Sequence, residues 1–225
     1  MLDPHQICFI YSANNDALLA ESMGSVNSLY IPGGYQVENR VIRNATSITQ
    51  AYNQGMLSSH AKYKIYLHQD LLILNRNFLK ELVILFRKYP RLGLLGIAGP
   101  KIIPPNAYWP DATVCFGRFL WGTGKPEETV PLAWHEVTGD YESVQAVDGI
   151  IMMTQYDLPW REDIFPGWHF YDISQSLEFI KAGFEVGIPR QVSPWFLHKS
   201  HDTSMANYET DKQIFLQHYG DMIVR

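Results

Sequence analysis

Lys64-Ile65-Tyr66-Leu67-His68-Gln69-Asp70-Leu71-Leu72-Ile73 is the stretch whose reading decides the fold. A short apolar run, rich in aromatic and branched residues, ends in a histidine and an aspartate, as a buried central strand does where it reaches the edge of a sheet. Side chains alternate across a strand with period two, so His68 and Asp70 are expected on one side and Gln69 on the other. An imidazole beside a carboxylate is half a metal site. The same residues also fit a strand that meets solvent, with a surface histidine and a helix-capping aspartate. The flanking chain has to decide.

Upstream, Gln6-Ile7-Cys8-Phe9-Ile10-Tyr11 is a continuous apolar run of the kind buried on both faces of a parallel sheet. Asn15 or Asp16 can cap a helix running to about Leu29. Pro32-Gly33-Gly34 turns the chain, residues 35–40 suit a short second strand, and residues 44–59 a second helix. Strand, helix, strand, helix, strand at these lengths implies right-handed crossovers and a parallel, doubly wound sheet. Ligands of such sheets sit outside the carboxyl ends of the strands. The loop over residues 12–15 and the His68–Asp70 pair both fall there.

Downstream, residues 77–89 form an amphipathic helix with Phe78, Leu82, Leu85 and Phe86 on one stripe, and residues 92–98 another buried strand. Residues 99–145 are rich in Gly, Pro and aromatics and read as loops and short strands laid over one side of the sheet. Their aromatics fit core positions and sugar-stacking platforms equally. A strand over 147–153, a loop over 158–167 and a helix over 170–182 follow. Short strands over 184–188 and 192–197 and a helix over 208–219 close the chain.

Composition narrows the function. The 225 residues include 46% hydrophobic and 13% aromatic ones, enough for one sizeable core. With 18 basic and 23 acidic residues, a net charge of −5, the chain lacks the basic face of a nucleic-acid binder. Cys8 and Cys115 are isolated thiols that fit buried, reduced cysteines. No signal-peptide pattern and no apolar run long enough to span a bilayer are present, so the reading is a soluble cytoplasmic protein.

Three groups can carry chemistry: His68 with Asp70; Gly167-Trp168-His169-Phe170-Tyr171-Asp172; and His198-Lys199-Ser200-His201-Asp202. Asp172 opens a helix, where a carboxylate is favoured by the dipole and can serve as a cap. His198 follows a strand-like run and, paired with His68 and Asp70, would complete a mixed N/O site suited to Mn²⁺ or Mg²⁺.

From about Gln6 to His198 the ordered motifs resemble those of a family 2 glycosyltransferase with the GT-A fold. Ala51-Tyr52-Asn53-Gln54-Gly55 is similar to the family's Ala-Arg-Asn-x-Gly helix, and Tyr66-Leu67-His68-Gln69-Asp70 stands where it has Asp-x-Asp. Val147-Asp148-Gly149 resembles the strand entering the acceptor half. Phe170-Tyr171-Asp172 stands where a Glu-Asp pair supplies the base, and Lys181-Ala182-Gly183-Phe184 followed by His198 is similar to the family's ending. The resemblance implies a single GT-A domain over residues 1–225, nucleotide-binding over 1–98 and acceptor-side over 99–225. It implies a nucleotide-sugar donor, foremost a UDP-sugar, and an acceptor such as a saccharide or lipid-linked saccharide. Asp70, helped by His68 and His198, would hold Mn²⁺ or Mg²⁺. Asp172 would be the catalytic base of an inverting transfer, and Tyr11, Ser12, Asn14, Glu38, Asn53 and Asp148 would bind the donor.

Three positions depart from the family pattern. His68 replaces the first Asp, as in a short stand-alone subgroup carrying His-Gln-Asp; Tyr52 replaces an Arg; and Tyr171 replaces a Glu. No Gln-x-x-Arg-Trp is present, which argues against a processive synthase. A non-catalytic GT-A-like binding domain is the alternative these departures motivate. A nucleotidyltransferase would want a Gly-rich, basic phosphate loop where the chain has Ser12-Ala13-Asn14-Asn15.

Overall fold

The computed structural model describes residues 1–199 and 205–223, so His201 and Asp202 of the last candidate group lie outside the described residues. The first half runs β1 (Asp3–Ser12), α1 (Asp16–Asn27), β2 (Gln36–Ile42), α2 (Ile48–Leu57), β3 (Ala61–His68), β4 (Leu71–Ile73), α3 (Phe78–Lys88), β5 (Leu92–Leu95) and β6 (Ala98–Pro100). Then come β7 (Cys115–Gly122), β8 (Thr129–Ala133), β9 (Tyr141–Ser143), β10 (Ile151–Thr154), α4 (Tyr171–Lys181), β11 (Glu185–Pro189), β12 (Phe196–His198) and α5 (Tyr208–Ile223).

The alternation along β1 shows how the layers form. Ile7, Phe9 and Tyr11 enter one core cluster with Leu19 and Val26 of α1 and Leu79, Leu82 and Phe86 of α3. Cys8 and Ile10 enter another, with Ile48, Tyr52 and Met56 of α2 and Phe179 of α4. Helices therefore cover both faces, as a strand apolar at every position requires. Gly55 of α2 is needed for this packing, since a Cβ there would lie 2.2 Å from Ile10 Cγ2. The side chain of Asn15 caps α1 through the amides of Ala17 and Leu18.

The main sheet has the order β2-β1-β3-β10-β5-β11-β9. β1 is parallel to β2 and β3, and β11 to β5, whereas β10 runs antiparallel between β3 and β5. The sheet is thus mixed rather than parallel throughout. No α-helix lies between β5 and β10, so no helical crossover returns the chain for a parallel pairing with β5. β10 also starts later than the sequence suggests, at Ile151, because residues 147–150 are spent entering the sheet from its crevice edge.

Residues 99–145 do more than cover the sheet. β7 is the centre of a second sheet, β4-β12-β7-β6, with β8 paired to β7. Gly117, at φ 104°, lets β7 press on the Ile97–Ala98 backbone, where a Cβ would lie 2.0 Å from Ile97 O. Of the strand expected over 192–197, only Phe196 and Leu197 pair, and the pairing runs on through His198, antiparallel to β4 and parallel to β7. That pairing sets His198 opposite Leu71, one residue from Asp70.

One buried charge stabilises the frame. Lys64 has 0% exposure, and its Nζ donates to Ala61 O (2.7 Å) and to both Asp157 carboxylate oxygens (2.8 and 2.9 Å). Asp157→Ala leaves the ammonium buried without its counter-charge. The expected cost is about 3 kcal/mol, read as a lowered urea midpoint at unchanged m-value. Cys8 and Cys115 are buried and free. Among the described residues, no helix is long and apolar enough to cross a membrane.

Candidate active site

His68 is the last residue of β3, and the chain turns at Gln69 and Asp70 before β4. His68 and Asp70 do meet, with Nδ1 4.0 Å from Asp70 Oδ1, but through this two-residue turn and not through strand alternation. Gln69 turns the other way and clamps the loop after β1. Its Oε1 accepts from the amides of Asn14 (2.9 Å) and Asn15 (2.8 Å), and its Nε2 donates to Asn14 Oδ1 (2.7 Å). Ser12 pairs directly with His68 in the sheet register.

β12 brings His198 Nε2 to 3.3 Å from Asp70 Oδ1. His68, Asp70 and His198 each offer one ligand atom, all within 4.8 Å of one another. Burial works to raise the Asp70 carboxyl, but His198 and then His68 outweigh it and hold the group below the usual carboxylate range. Burial, then the neighbouring His198, pulls His68 down to about 4, against the pull of Asp70. An anionic carboxylate beside the neutral imidazole of His68 is the state a metal ligand set needs. The donor set fits a cation: His198 Nε2 is buried and outside hydrogen-bond geometry, with Asp70 Oδ1 3.3 Å away, so the two atoms face each other as ligands that one cation could share.

Asp172 stands in the first turn of α4, behind a strained entry. Phe170 has φ 60°, unusual for a residue with a side chain, and is held there by its ring packing on Tyr208 and Phe215. Asp172 Oδ2 accepts from the Gly149 amide at 3.0 Å. Burial, then repulsion from Asp148, pushes the Asp172 carboxyl up to about 7 despite the backbone donors. Asp148 is itself raised by burial, although the Ile150 amide donates to it.

Tyr171 joins the two halves of the site. Its hydroxyl lies 2.7 Å from His68 Nε2. Its ring is boxed by Tyr52 and Trp160, and Gly149 closes the remaining side, where a Cβ would lie 2.2 Å from the hydroxyl. Two of the three departures from the family pattern, His68 and Tyr171, therefore touch. The third, Tyr52, is fully buried in the same aromatic box.

Three expected donor-binding residues lie elsewhere. Tyr11 has 0% exposure and turns toward α1, its hydroxyl 3.2 Å from Ser22 Oγ, so it cannot contact a ligand base. Glu38 pairs with Cys8, four positions before the Ser12–Ile42 end of the register, about 13 Å from the crevice. Its carboxylate is taken by Arg40 and Ser59. Asn53 makes a two-way bond to the Trp160 backbone (2.9 and 2.8 Å), tying α2 to the following loop. The structure gathers Ser12, Asn14, His68, Asp70, Asp148, Asp172 and His198 at the carboxyl ends of the strands.

A sequence profile described as a glycosyltransferase-like family matches residues 8–219. The chain belongs to that family. A search of curated proteins finds no match. Among solved structures, a mannosyltransferase from Pyrobaculum calidifontis in complex with GDP-Man and Mn²⁺ superposes with a TM-score of 0.61 at 11% identity, covering 99% of this chain and 65% of its own. S. aureus TarS in complex with UDP-GlcNAc gives 0.54 at 8%, covering 88% and 59%. A Drosophila β1,4-galactosyltransferase 7 mutant in complex with manganese, UDP-Gal and xylobiose gives 0.56 at 17%, covering 92% and 79%. The chain thus spans less than two thirds of the length of the first two. These likenesses establish the mixed α/β GT-A fold, with its central sheet between helices.

Proposed function

We propose that the protein is a metal-dependent, inverting glycosyltransferase that moves a sugar from a nucleotide-sugar donor to an acceptor hydroxyl. The observation that carries this reading is the convergence of Asp70, His68 and His198 on the crevice edge that also holds the high-pKa carboxyl of Asp172. The ligands of the structural neighbours support the donor class: GDP-Man with Mn²⁺, UDP-GlcNAc, and UDP-Gal with manganese and a disaccharide. A UDP-sugar is the donor to test first, with a saccharide or lipid-linked saccharide as acceptor.

In this reading Asp70 and the two imidazoles hold Mn²⁺ or Mg²⁺, and two nitrogen ligands favour Mn²⁺. When bound, the cation supplies Lewis-acid neutralisation of the departing diphosphate. Asp172 accepts the proton of the acceptor hydroxyl as its oxygen attacks the anomeric carbon, and the nucleoside diphosphate leaves from the opposite face with inversion. Ser12, at the end of β1, Asn14, on the loop pinned by Gln69, and the half-buried Asp148 face the donor side.

Incubation with Mn²⁺ and a panel of UDP-, GDP-, CDP- and dTDP-sugars tests this directly. One donor is expected to release its nucleoside diphosphate and give a product of opposite anomeric configuration. The rate should rise with pH through about 7 and then level, because Asp172 must be deprotonated to act. Tight nucleotide binding without turnover of any donor would replace this reading by a non-catalytic binding domain. A flat pH profile would remove Asp172 as the titrating base.

A further inference from the structure

The hydrogen bond between His68 and Tyr171 has a chemical direction once His68 is asked to ligate. A carboxylate ligand presents equivalent oxygens and needs no proton placement. An imidazole must present a bare nitrogen, and which one is bare is set by the partner of the other. In His68, Nδ1 is the atom turned toward Asp70 Oδ1, at 4.0 Å, while Nε2 is engaged by the Tyr171 hydroxyl at 2.7 Å. If Nδ1 ligates, Nε2 carries the proton and Tyr171 must accept it.

Building on the metal-dependent reading above, we infer that Tyr171 is a positioning residue that fixes His68 as an Nδ1 ligand by accepting a hydrogen bond from its Nε2–H. Three features hold Tyr171 for this task. Its ring sits 6.1 Å from Tyr52 and 6.3 Å from Trp160, centroid to centroid, in a buried aromatic box. Gly149 stands against the hydroxyl so closely that any side chain there would displace it. The strained Phe170 turn sets α4 so that Tyr171 is its first residue. The backbone of His68 is pinned as well, its amide donating to Ile150 O at 3.1 Å, so ring rotation is the freedom left for Tyr171 to remove. The same short segment thus orients a metal ligand through residue 171 and presents the base through residue 172. Ligand geometry and base position are coupled through one helix start.

Mn²⁺ affinity, read by the loss of free-ion electron paramagnetic resonance signal, is compared for wild type, Tyr171→Phe, His68→Ala and the double variant. Tyr171→Phe keeps the ring and removes the hydroxyl. It is expected to weaken Mn²⁺ binding roughly 10-fold or more, the usual effect of losing an outer hydrogen bond to a ligating histidine. In the His68→Ala background the same change should have no further effect, which loss of packing alone would not give. Full Mn²⁺ affinity in Tyr171→Phe, or additive losses, would overturn the inference and leave the metal site standing. Failure of wild type to bind Mn²⁺ would overturn both. Should Tyr171→Phe not fold, ¹⁵N spectra of wild type loaded with diamagnetic Zn²⁺ decide the matter. Coordination of His68 through Nδ1 with a protonated Nε2 is expected, and coordination through Nε2 would overturn the assignment.

Discussion

Asp172→Asn is expected to lower sugar transfer roughly 10²–10⁴-fold, the usual contribution of a positioned general base, while Mn²⁺ and nucleotide binding persist. The amide keeps its shape and its oxygen can still accept from the Gly149 amide, so the change removes basicity more than structure. It also carries a stability signature of defined sign. Because the folded carboxyl is raised to about 7, the native state holds a proton that the unfolded chain releases. The stability this group contributes is therefore full below the ordinary carboxylate pKa and is lost as pH rises through about 7. Asparagine has no such loss. In the metal-free protein, Asp172→Asn should melt near wild type at pH 4 and above it at pH 8, by up to ~4 kcal/mol for a shift of roughly three pH units. A variant that loses both activity and stability at pH 8 would mean that Asp172 is a structural cap.

Asp70→Ala is expected to have the second large effect, removing the sole carboxylate of the ligand set and the partner of both imidazoles. Mn²⁺ binding should fall below detection, and transfer should fall more than 100-fold, since each loses the same contact. Metal titration and turnover, measured on one preparation, check this. Undiminished Mn²⁺ affinity would place the cation elsewhere. The metal-free fold should survive, because what Asp70 contributes to the frame is a backbone carbonyl that accepts from the Lys199 amide at 2.9 Å.

Much of this was legible from residue order, and the misses have physical reasons. The two-faced burial of β1 follows from Ile7-Cys8-Phe9-Ile10-Tyr11 being apolar at every position, and α3 buries its expected Phe78, Leu82, Leu85 and Phe86. The same burial explains why Tyr11 cannot face a ligand. A strand covered on both sides hands its side chains to helices until it ends, and Ser12 is the first residue free of that constraint. Glu38 was misplaced because β2 continues through Val41 and Ile42, whose β-branched side chains were the available signal. Asn53 sits on a helix face whose partner, Trp160, is more than a hundred residues away, and no local pattern announces such a contact.

The antiparallel turn of β10 and the second sheet were hidden for a related reason. β6, β9 and β12 are three residues long and take their identity from partners rather than from periodicity. Yet β12 is what carries His198 to Asp70. Tyr171 read from the sequence as a lost glutamate. In three dimensions it meets His68, itself in place of an aspartate, and the two departures form one hydrogen-bonded pair.

The most direct test of the central claim is the melting temperature of the wild-type protein with UDP, GDP, CDP and dTDP, each with Mn²⁺, with Mg²⁺ and with neither. A ligand that binds only the folded state raises the melting temperature in proportion to the logarithm of its concentration over Kd. At least one nucleoside diphosphate is expected to raise it only when a divalent cation is present, most with Mn²⁺. A rise of equal size without metal, or no rise with any nucleotide under any condition, would contradict the assignment of His68, Asp70 and His198 as the metal-bearing edge of a nucleotide-sugar site.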